Sequence, residues 1–258
     1  VRLAVIVPTL DEAANLAVLL PRLLTELPGA ELVVADGGSR DDSRAVATRF
    51  PGVRWIATPQ GRARQMNAGA RAAGGDVLLF LHADTRLPAD AGTAIARALA
   101  DPRVVGGRFD VRLDSPRPLL RVVETLMNVR SRLTGISTGD QAIFVRRDVF
   151  EALGGYLDIP LMEDIELSRR LKRRGRLAAL RLRVTTSARK WEREGPLRTI
   201  VLMWTLRLAY LLGVSPARLH RWYYGRPPAP AGPPAGGGSP PGDGVPAPSR
   251  DGPAPRQP

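Results

Sequence analysis

The feature that most constrains this chain is a series of short, almost uninterrupted apolar segments, each stopped by Pro, Gly, Asp or His. Residues 3–7 (LAVIV), 31–35 (ELVVA), 53–57 (VRWIA) and 77–81 (VLLFL) have strand length. Segments this apolar are covered on both faces, the condition of strands in a parallel sheet. The stretches between them carry helical spacing: 15–26, with Asn15 placed to cap it and Pro21 to kink it, then 41–50, 62–73 and 89–100. Within 62–73, Ala63, Met66, Ala70 and Ala73 recur by three and four. Strand and helix alternate at the spacing of right-handed βαβ units, so residues 1–100 are expected to form a mostly parallel sheet flanked by helices, an α/β fold.

The second half is less regular. Strands are predicted at 104–113 and 142–146, helices at 119–133 and 164–174, and a final apolar helix at 197–212. The last 33 residues, 226–258, hold 12 Pro, 7 Gly and one large aliphatic side chain, Val245. So little apolar surface does not offset the entropy of ordering them. The expectation is one domain over 1–225 and a disordered Pro/Gly-rich tail over 226–258.

Composition removes several classes. Without Cys there is no disulfide framework or thiolate metal site, and His82 and His220 alone cannot make a three-histidine zinc centre. The net charge is +13, and all but Lys172 and Lys190 of the 38 basic residues are Arg. These arginines are scattered and aromatics make up 5%, which leaves few stacking platforms for bases. No nucleic-acid partner is expected; the charge favours anionic substrates or anionic lipid surfaces. The longest uncharged apolar runs, 199–206 and 208–217, are split by Arg207 and too short to span a bilayer. No charged-then-apolar leader precedes residue 3, so a cytoplasmic location is expected, with peripheral attachment to the inner membrane face as the second option.

In open α/β sheets, ligands bind beyond the carboxyl ends of the strands. Pro8, Thr9 and Glu12 follow the first strand, Asp36-Gly37-Gly38-Ser39 the second, and His82-Ala83-Asp84-Thr85 the fourth. A turn or cap accounts for any one of these carboxylates, but poorly for three at one edge. Asp84 is placed either to hold Mg²⁺ or Mn²⁺ with positions left for phosphate oxygens, or to cap the turn before Pro88. His82 points to the same side, flanking metal or phosphate or serving structure alone. Arg62 at a helix start suits a diphosphate. Asn67 interrupts the small apolar stripe and needs a buried partner.

Glu163 and Asp164 open a helix with a basic last turn and Gly175 after it, as the macrodipole favours; alternatively one of them is a general base facing a sugar. Asp140-Gln141 and Gly154-Gly155-Tyr156 are turn-like. Arg189-Lys190-Trp191 either binds phosphate and stacks on a sugar or forms a solvated loop. Leu197, Ile200, Val201, Trp204, Leu208 and Leu211 share one face of the last helix, for which core packing is favoured over an interfacial role.

Residues 5–12 (VIVPTLDE), 33–39 (VVADGGS), 82–85 (HADT), 154–156 (GGY) and Glu163-Asp164 together resemble the family 2 glycosyltransferases of GT-A (Rossmann-like) fold, over essentially 1–224. More narrowly, 61–69 (GRARQMNAG), 80–85 (FLHADT) and 162–169 (MEDIELSR) resemble the radical-SAM/selenodomain-associated transferase 2 type, also called arsenosugar biosynthesis glycosyltransferase. The resemblance implies a nucleotide-binding half over 1–100 and an acceptor half over 101–225. It implies that Pro8, Thr9, Glu12 and Asp36 frame the nucleotide of a nucleoside-diphosphate sugar, with Asn67 and His82 on the same donor side. Arg62 approaches the diphosphate and Asp84 binds Mg²⁺ or Mn²⁺. Asp164 is the base of an inverting displacement, and Asp140, Gln141, Glu163, Arg189 and Trp191 lie toward the acceptor, a small molecule or a lipid-linked one. The family's metal motif pairs two acids, and His82 replaces the first. Two alternatives stay open: a polyprenyl-phosphate glycosyltransferase at the membrane surface, and a non-catalytic nucleotide-sugar-binding module.

Overall fold

The structure, a computed structural model, describes residues 1–228. The expected tail lies, from residue 229 onward, outside the described residues. The elements follow as β1 (Leu3–Thr9), α1 (Ala13–Glu26), β2 (Glu31–Asp36), α2 (Ser43–Ala47), β3 (Val53–Ala57), α3 (Arg62–Ala72), β4 (Val77–Phe80), β5 (Thr85–Arg86) and α4 (Ala91–Ala98). Then come β6 (Val104–Asp114), α5 (Pro118–Thr134), β7 (Ile143–Arg146), α6 (Arg147–Ala152), α7 (Glu163–Arg174), β8 (Arg176–Ser187), α8 (Arg189–Glu194), α9 (Pro196–Leu211) and α10 (Pro216–Tyr224).

One sheet of order β3-β2-β1-β4-β7-β6-β8-β5 runs through the molecule. β1 pairs in parallel with both β2 and β4, β2 with β3, and β6 with β8; β7 is antiparallel to β4 and β6, and β5 to β8. Alternate residues of the central strands enter two cores. Val5, Val7, Leu32, Val34 and Leu79 pack with Leu16, Leu20 and Leu23 of α1 and Ile95 of α4. Ala4, Ile6, Val33, Leu78 and Phe80 pack with Ala63, Met66 and Ala70 of α3 and with Leu167 and Leu171 of α7. Coverage on both faces is what their unbroken apolarity demands.

Several expectations change. Asn15 is not the cap of α1: Glu12 holds that position, and the Asn15 amide donates to its carboxylate. The helix continues through Pro21. The expected helix at 41–50 shortens to Ser43–Ala47. The 12-residue β8 escapes the apolar-run criterion because it alternates arginine with apolar residues and buries only Val184 and Thr186. Residues 189–191 belong to a helix, not a loop. The expected apolar face of α9 is its outer one: Leu197, Val201, Trp204, Leu208 and Leu211 are exposed, and Ile200 alone of the six turns inward. The helix is apolar nearly all round, so periodicity does not choose its buried face. Leu206, Leu202, Met203, Ala209 and Tyr210 pack instead with Met162, Ile165 and Leu219.

α3 lies close on β1 because Gly69 has no side chain: a Cβ there would come within 2.4 Å of Ile6 Cγ2. Gly69→Ala is therefore expected to destabilise the fold by about 1–3 kcal/mol through overpacking, measured as a lower midpoint in urea unfolding.

Candidate active site

Because β1, β2, β3 and β4 run parallel, their carboxyl ends share one edge, and the order reverses between β1 and β4, where a crevice opens. Antiparallel β7 starts from that edge, preceded by a 3₁₀ turn over Gly139–Gln141; β8 ends there and leads into α8. The N-terminus of α7 completes the group.

A cavity of about 310 Å³ lies in this crevice, roofed by α5, α9 and α10. Its polar wall contains Arg62, His82, Asp84, Arg130, Asp140, Glu163, Asp164, Lys190 and Arg207; Leu126, Met127, Trp191, Ile200, Met203 and Trp204 make it apolar on the other side. A small polar cluster in an apolar cleft of this size is the usual form of a ligand site.

Asp164 is the best-defined group. Its Oδ2 accepts the Gly139 N–H at 2.8 Å and its Oδ1 the Ile165 N–H at 2.7 Å. Burial pushes its carboxyl above the ordinary aspartate range, against these two hydrogen bonds and the Arg62 cation. Burial and the Asp164 charge push Glu163 up to about 7. Arg62, at the first turn of α3, reaches Glu163 at 3.8 Å with its side chain 47% exposed in the crevice. His82 presses on Gly139, where a Cβ would meet its Nε2 at 2.5 Å. Burial, helped by Arg62, lowers its pKa well below the usual histidine value, so the ring is neutral. Its Nε2 is buried with no partner among the described residues.

Burial likewise raises Asp84, opposed by Arg189 and Arg62. It raises Glu12, opposed by the Asn15 hydrogen bond and by Arg189 and reinforced by Asp84 and Asp41. Glu12, Asp84 and Arg189 thus form one electrostatic neighbourhood. Asp84 with the orphan His82 Nε2 offers a carboxylate and a neutral imidazole, a donor pair that fits a divalent ion completed by substrate oxygens. Among the described residues no group of three or more His, Cys, Asp or Glu could hold a metal by itself.

Of the donor-side, acceptor-side and catalytic residues that the resemblance implies, seven line the cavity: Arg62, His82, Asp84, Asp140, Glu163, Asp164 and Trp191. The others stand outside it. Thr9 is buried with its hydroxyl on Val7 O, and Pro8 lies beside Ala35. The Asp36 carboxylate clamps its own turn, accepting the N–H groups of Gly38 and Ser39 and the Ser39 hydroxyl. Asn67 finds the partner its position requires, exchanging two hydrogen bonds with the Tyr156 backbone at 2.8 and 2.9 Å. Gln141 is buried and closes a capping box with Thr138. Arg189 is exposed and bonds Ser187 Oγ at 3.0 Å. Sequence reasoning missed Gln65, whose buried amide ties Thr9 O (2.6 Å) to Ala35 O (2.9 Å), and the cavity cations Arg130 and Arg207. Nothing separates those two from the other scattered arginines in the sequence. Lys190, read in the sequence with Arg189 and Trp191 as a phosphate binder or part of a solvated loop, lines the cavity.

No helix of the described residues is long and apolar enough to cross a membrane. The chain is similar in structure to mannosyltransferase PcManGT from Pyrobaculum calidifontis, solved with GDP-Man and Mn²⁺ (TM-score 0.63, 22% identity, 88% of this chain and 66% of that one). It is similar to glucosyl-3-phosphoglycerate synthase from Mycobacterium tuberculosis, solved with Mn²⁺, UDP and glucosyl-3-phosphoglycerate (0.59, 19%, 83% and 80%). It is also similar to S. aureus TarS 1-349 with UDP (0.60, 16%, 72% and 60%). The chain thus spans less than two thirds of the TarS and PcManGT chains, and these likenesses establish the GT-A fold. No curated protein matches it. Residues 4–154, more than half of the chain, match Glycosyl transferase family 2, and the chain belongs to that family.

Proposed function

We propose that the protein is an inverting glycosyltransferase that moves a sugar from a nucleoside-diphosphate donor to an acceptor hydroxyl, with Asp164 as the base. The observation that carries this reading is the Asp164 carboxylate, held by two backbone N–H groups at the cavity wall and shifted by burial toward neutral pH. Residues 1–100 form the donor half, with Pro8, Thr9, Glu12 and Asp36 around the nucleotide, and residues 101–225 the acceptor half. Structural neighbours solved with UDP or with GDP-Man support a nucleotide-sugar donor. The motifs at 61–69, 80–85 and 162–169 support placement in the arsenosugar-associated subgroup.

In the proposed reaction the acceptor oxygen attacks the anomeric carbon from the face opposite the diphosphate, and its proton passes to a carboxylate oxygen of Asp164. The bond from the anomeric carbon to the diphosphate oxygen breaks, and the electron pair leaves with the nucleoside diphosphate. The configuration at the anomeric carbon inverts. Arg62 steadies the departing charge from the start of α3, and Glu163 positions Arg62. Trp191 supplies an apolar wall for a sugar face. Asp84, flanked by His82, would hold Mg²⁺ or Mn²⁺, which when bound neutralises charge on the diphosphate. The two neighbours solved with Mn²⁺ support that assignment.

A second observation favours work at an anionic bilayer surface. Leu119, Val122, Leu126, Val129 and Leu133 form a stripe along α5, 42 to 82% exposed, at alternating spacings of three and four. Leu197, Val201, Trp204, Leu208 and Leu211 form a second along α9, 58 to 68% exposed. Beside these stripes Arg198, Arg218 and Arg221 are exposed with no ion pair among the described residues, and the one acid of α5, α9 and α10, Glu124, is buried. That charge repels a second copy and attracts anionic lipid, at ~1 kcal/mol per basic residue near the surface.

Asp164→Asn is expected to lower kcat by about 10²–10⁴-fold while leaving donor affinity unchanged, measured by initial rates and by titration with a panel of nucleoside-diphosphate sugars. The base must be unprotonated, so kcat/KM should fall as pH drops, with its acid limb above the ordinary carboxylate range. Asp140→Asn removes a negative charge that raises Asp164 and should move that limb to lower pH. EDTA should abolish turnover, and Mg²⁺ or Mn²⁺ should restore it. Vesicles containing phosphatidylglycerol should carry the protein upward in a flotation gradient and phosphatidylcholine vesicles should not. Val201→Glu with Leu208→Glu should abolish that flotation. A salt-resistant dimer broken by the same pair would instead make this face an interface between copies.

A further inference from the structure

Arg130, from the last turns of α5, lines the cavity and has no part in the transfer chemistry above. Its Nε and Nη2 are buried without a hydrogen-bond partner among the described residues. Asp140 and Asp164 act on it only through space, and Arg207 and Arg108 oppose it. The neighbouring Arg108 and Arg132 are in a different position, since both are bound to Asp110. Arg207, from α9, lines the same cavity and has no ion pair among the described residues. Burial, with Arg207 adding to it, draws the Arg130 guanidinium down to about 10, which leaves it protonated at neutral pH. A buried cation with unmade hydrogen bonds is costly, and a second cation beside it adds to the cost. An anion seated between the two removes both penalties.

The location separates this pair from the donor end. Arg130 and Arg207 come from α5 and α9, which roof the cavity, whereas Asp84 follows β4 and Arg62 opens α3 at the strand-end edge. Around Arg130 the wall is apolar, and Leu126 and Trp204 belong both to that wall and to the exposed stripes. Two guanidinium forks with free N–H donors match the oxygens of a phosphate. We infer that Arg130 and Arg207 bind a phosphate group carried by the acceptor, on the α5–α9 side of Asp164. The inference rests on the glycosyltransferase reading for the word acceptor; the anion site itself does not. The phosphate could belong to a soluble molecule or to a lipid headgroup, the two sharing this recognition chemistry.

The test uses the full chain and its own tryptophans, since Trp191 and Trp204 line the cavity. Inorganic phosphate is titrated in one arm. In the other, vesicles containing phosphatidic acid are compared with phosphatidylglycerol vesicles, which present only a diester. Saturable quenching by phosphate, weakened at least about tenfold by Arg130→Gln and unchanged by Arg97→Gln on the exposed side of α4, supports the site for a soluble acceptor. A preference for phosphatidic acid that Arg130→Gln erases without abolishing vesicle binding supports it for a lipid one. If Arg130→Gln fails to fold by circular dichroism, Arg207→Gln and Arg130→Lys take its place, the latter keeping the charge but losing the fork. Absence of binding in both arms overturns the inference, as does an effect of Arg130→Gln equal on donor and phosphate affinity, which would place Arg130 at the donor diphosphate. Phosphate binding in a protein that binds no nucleoside-diphosphate sugar would leave the anion site standing and remove the proposed function.

Discussion

Parallel pairing of β1 with both β2 and β4 is the constraint on which the rest depends. Parallel strands need a crossover between them, and a right-handed crossover returns each chain end to the same edge. Three strand ends therefore deliver Thr9, Asp36 and the 82–84 segment to one line. The second half obeys the same edge by different means. β7 runs antiparallel, so the turn before it, not after it, reaches the crevice, and that turn supplies the Gly139 N–H to Asp164. β8 runs parallel to β6, so its end does, and it leads into Lys190 and Trp191. Strand direction alone decides which loops belong to the site.

The charges gathered there are kept apart. Four carboxylates and four cations line one cavity, yet the one ion pair within 4 Å between two of its lining residues is Arg62 with Glu163, at 3.8 Å. Elsewhere in the molecule Asp110 is fully used by Arg108 and Arg132, and Asp36 by its own turn. Structural acids are spent on nearby donors, whereas the cavity groups are left under-compensated. Burial then acts on them directly, raising Asp84, Glu163 and Asp164 and lowering Arg130 and His82. Such a set is poised for a ligand that brings charges of its own.

The first four strands were legible because burial on both faces leaves a signature that needs no partner to interpret. β8 was not, since an alternating Arg/apolar strand is defined by its neighbour β6 and only that neighbour tells which side is covered. Of the strand-end carboxylates Asp84 lines the cavity while Asp36 is held by its own turn, a distinction that position at a strand end does not make. Asp164 became legible through family resemblance, because a helix start rich in acids is also what the macrodipole favours. Arg130 and Arg207 had no local signature: their meaning comes from two helices, α5 and α9, far apart in sequence and closing over one space. Asn67 shows a case between these, where the need for a buried partner was readable and the partner, the Tyr156 backbone, was not.

α9 connects the cavity to the exterior. Its sequence is apolar on nearly every side, and the fold resolves that ambiguity by giving one side to Met162, Ile165 and Leu219 and leaving the other outward. α5 does the same: Asn128 and Glu124 turn inward to bond the β6 backbone, and the leucine-valine stripe turns out. α5 buries Glu124, Asn128 and Ser131 beside Leu120 and Val123, and both helices expose an apolar stripe, a reversal of the usual arrangement for a helix against water. The reversal is consistent if their outer medium is not water. Because Leu126 and Trp204 stand both on that outer face and in the cavity wall, a molecule held in the interface would reach Asp164 without crossing bulk solvent.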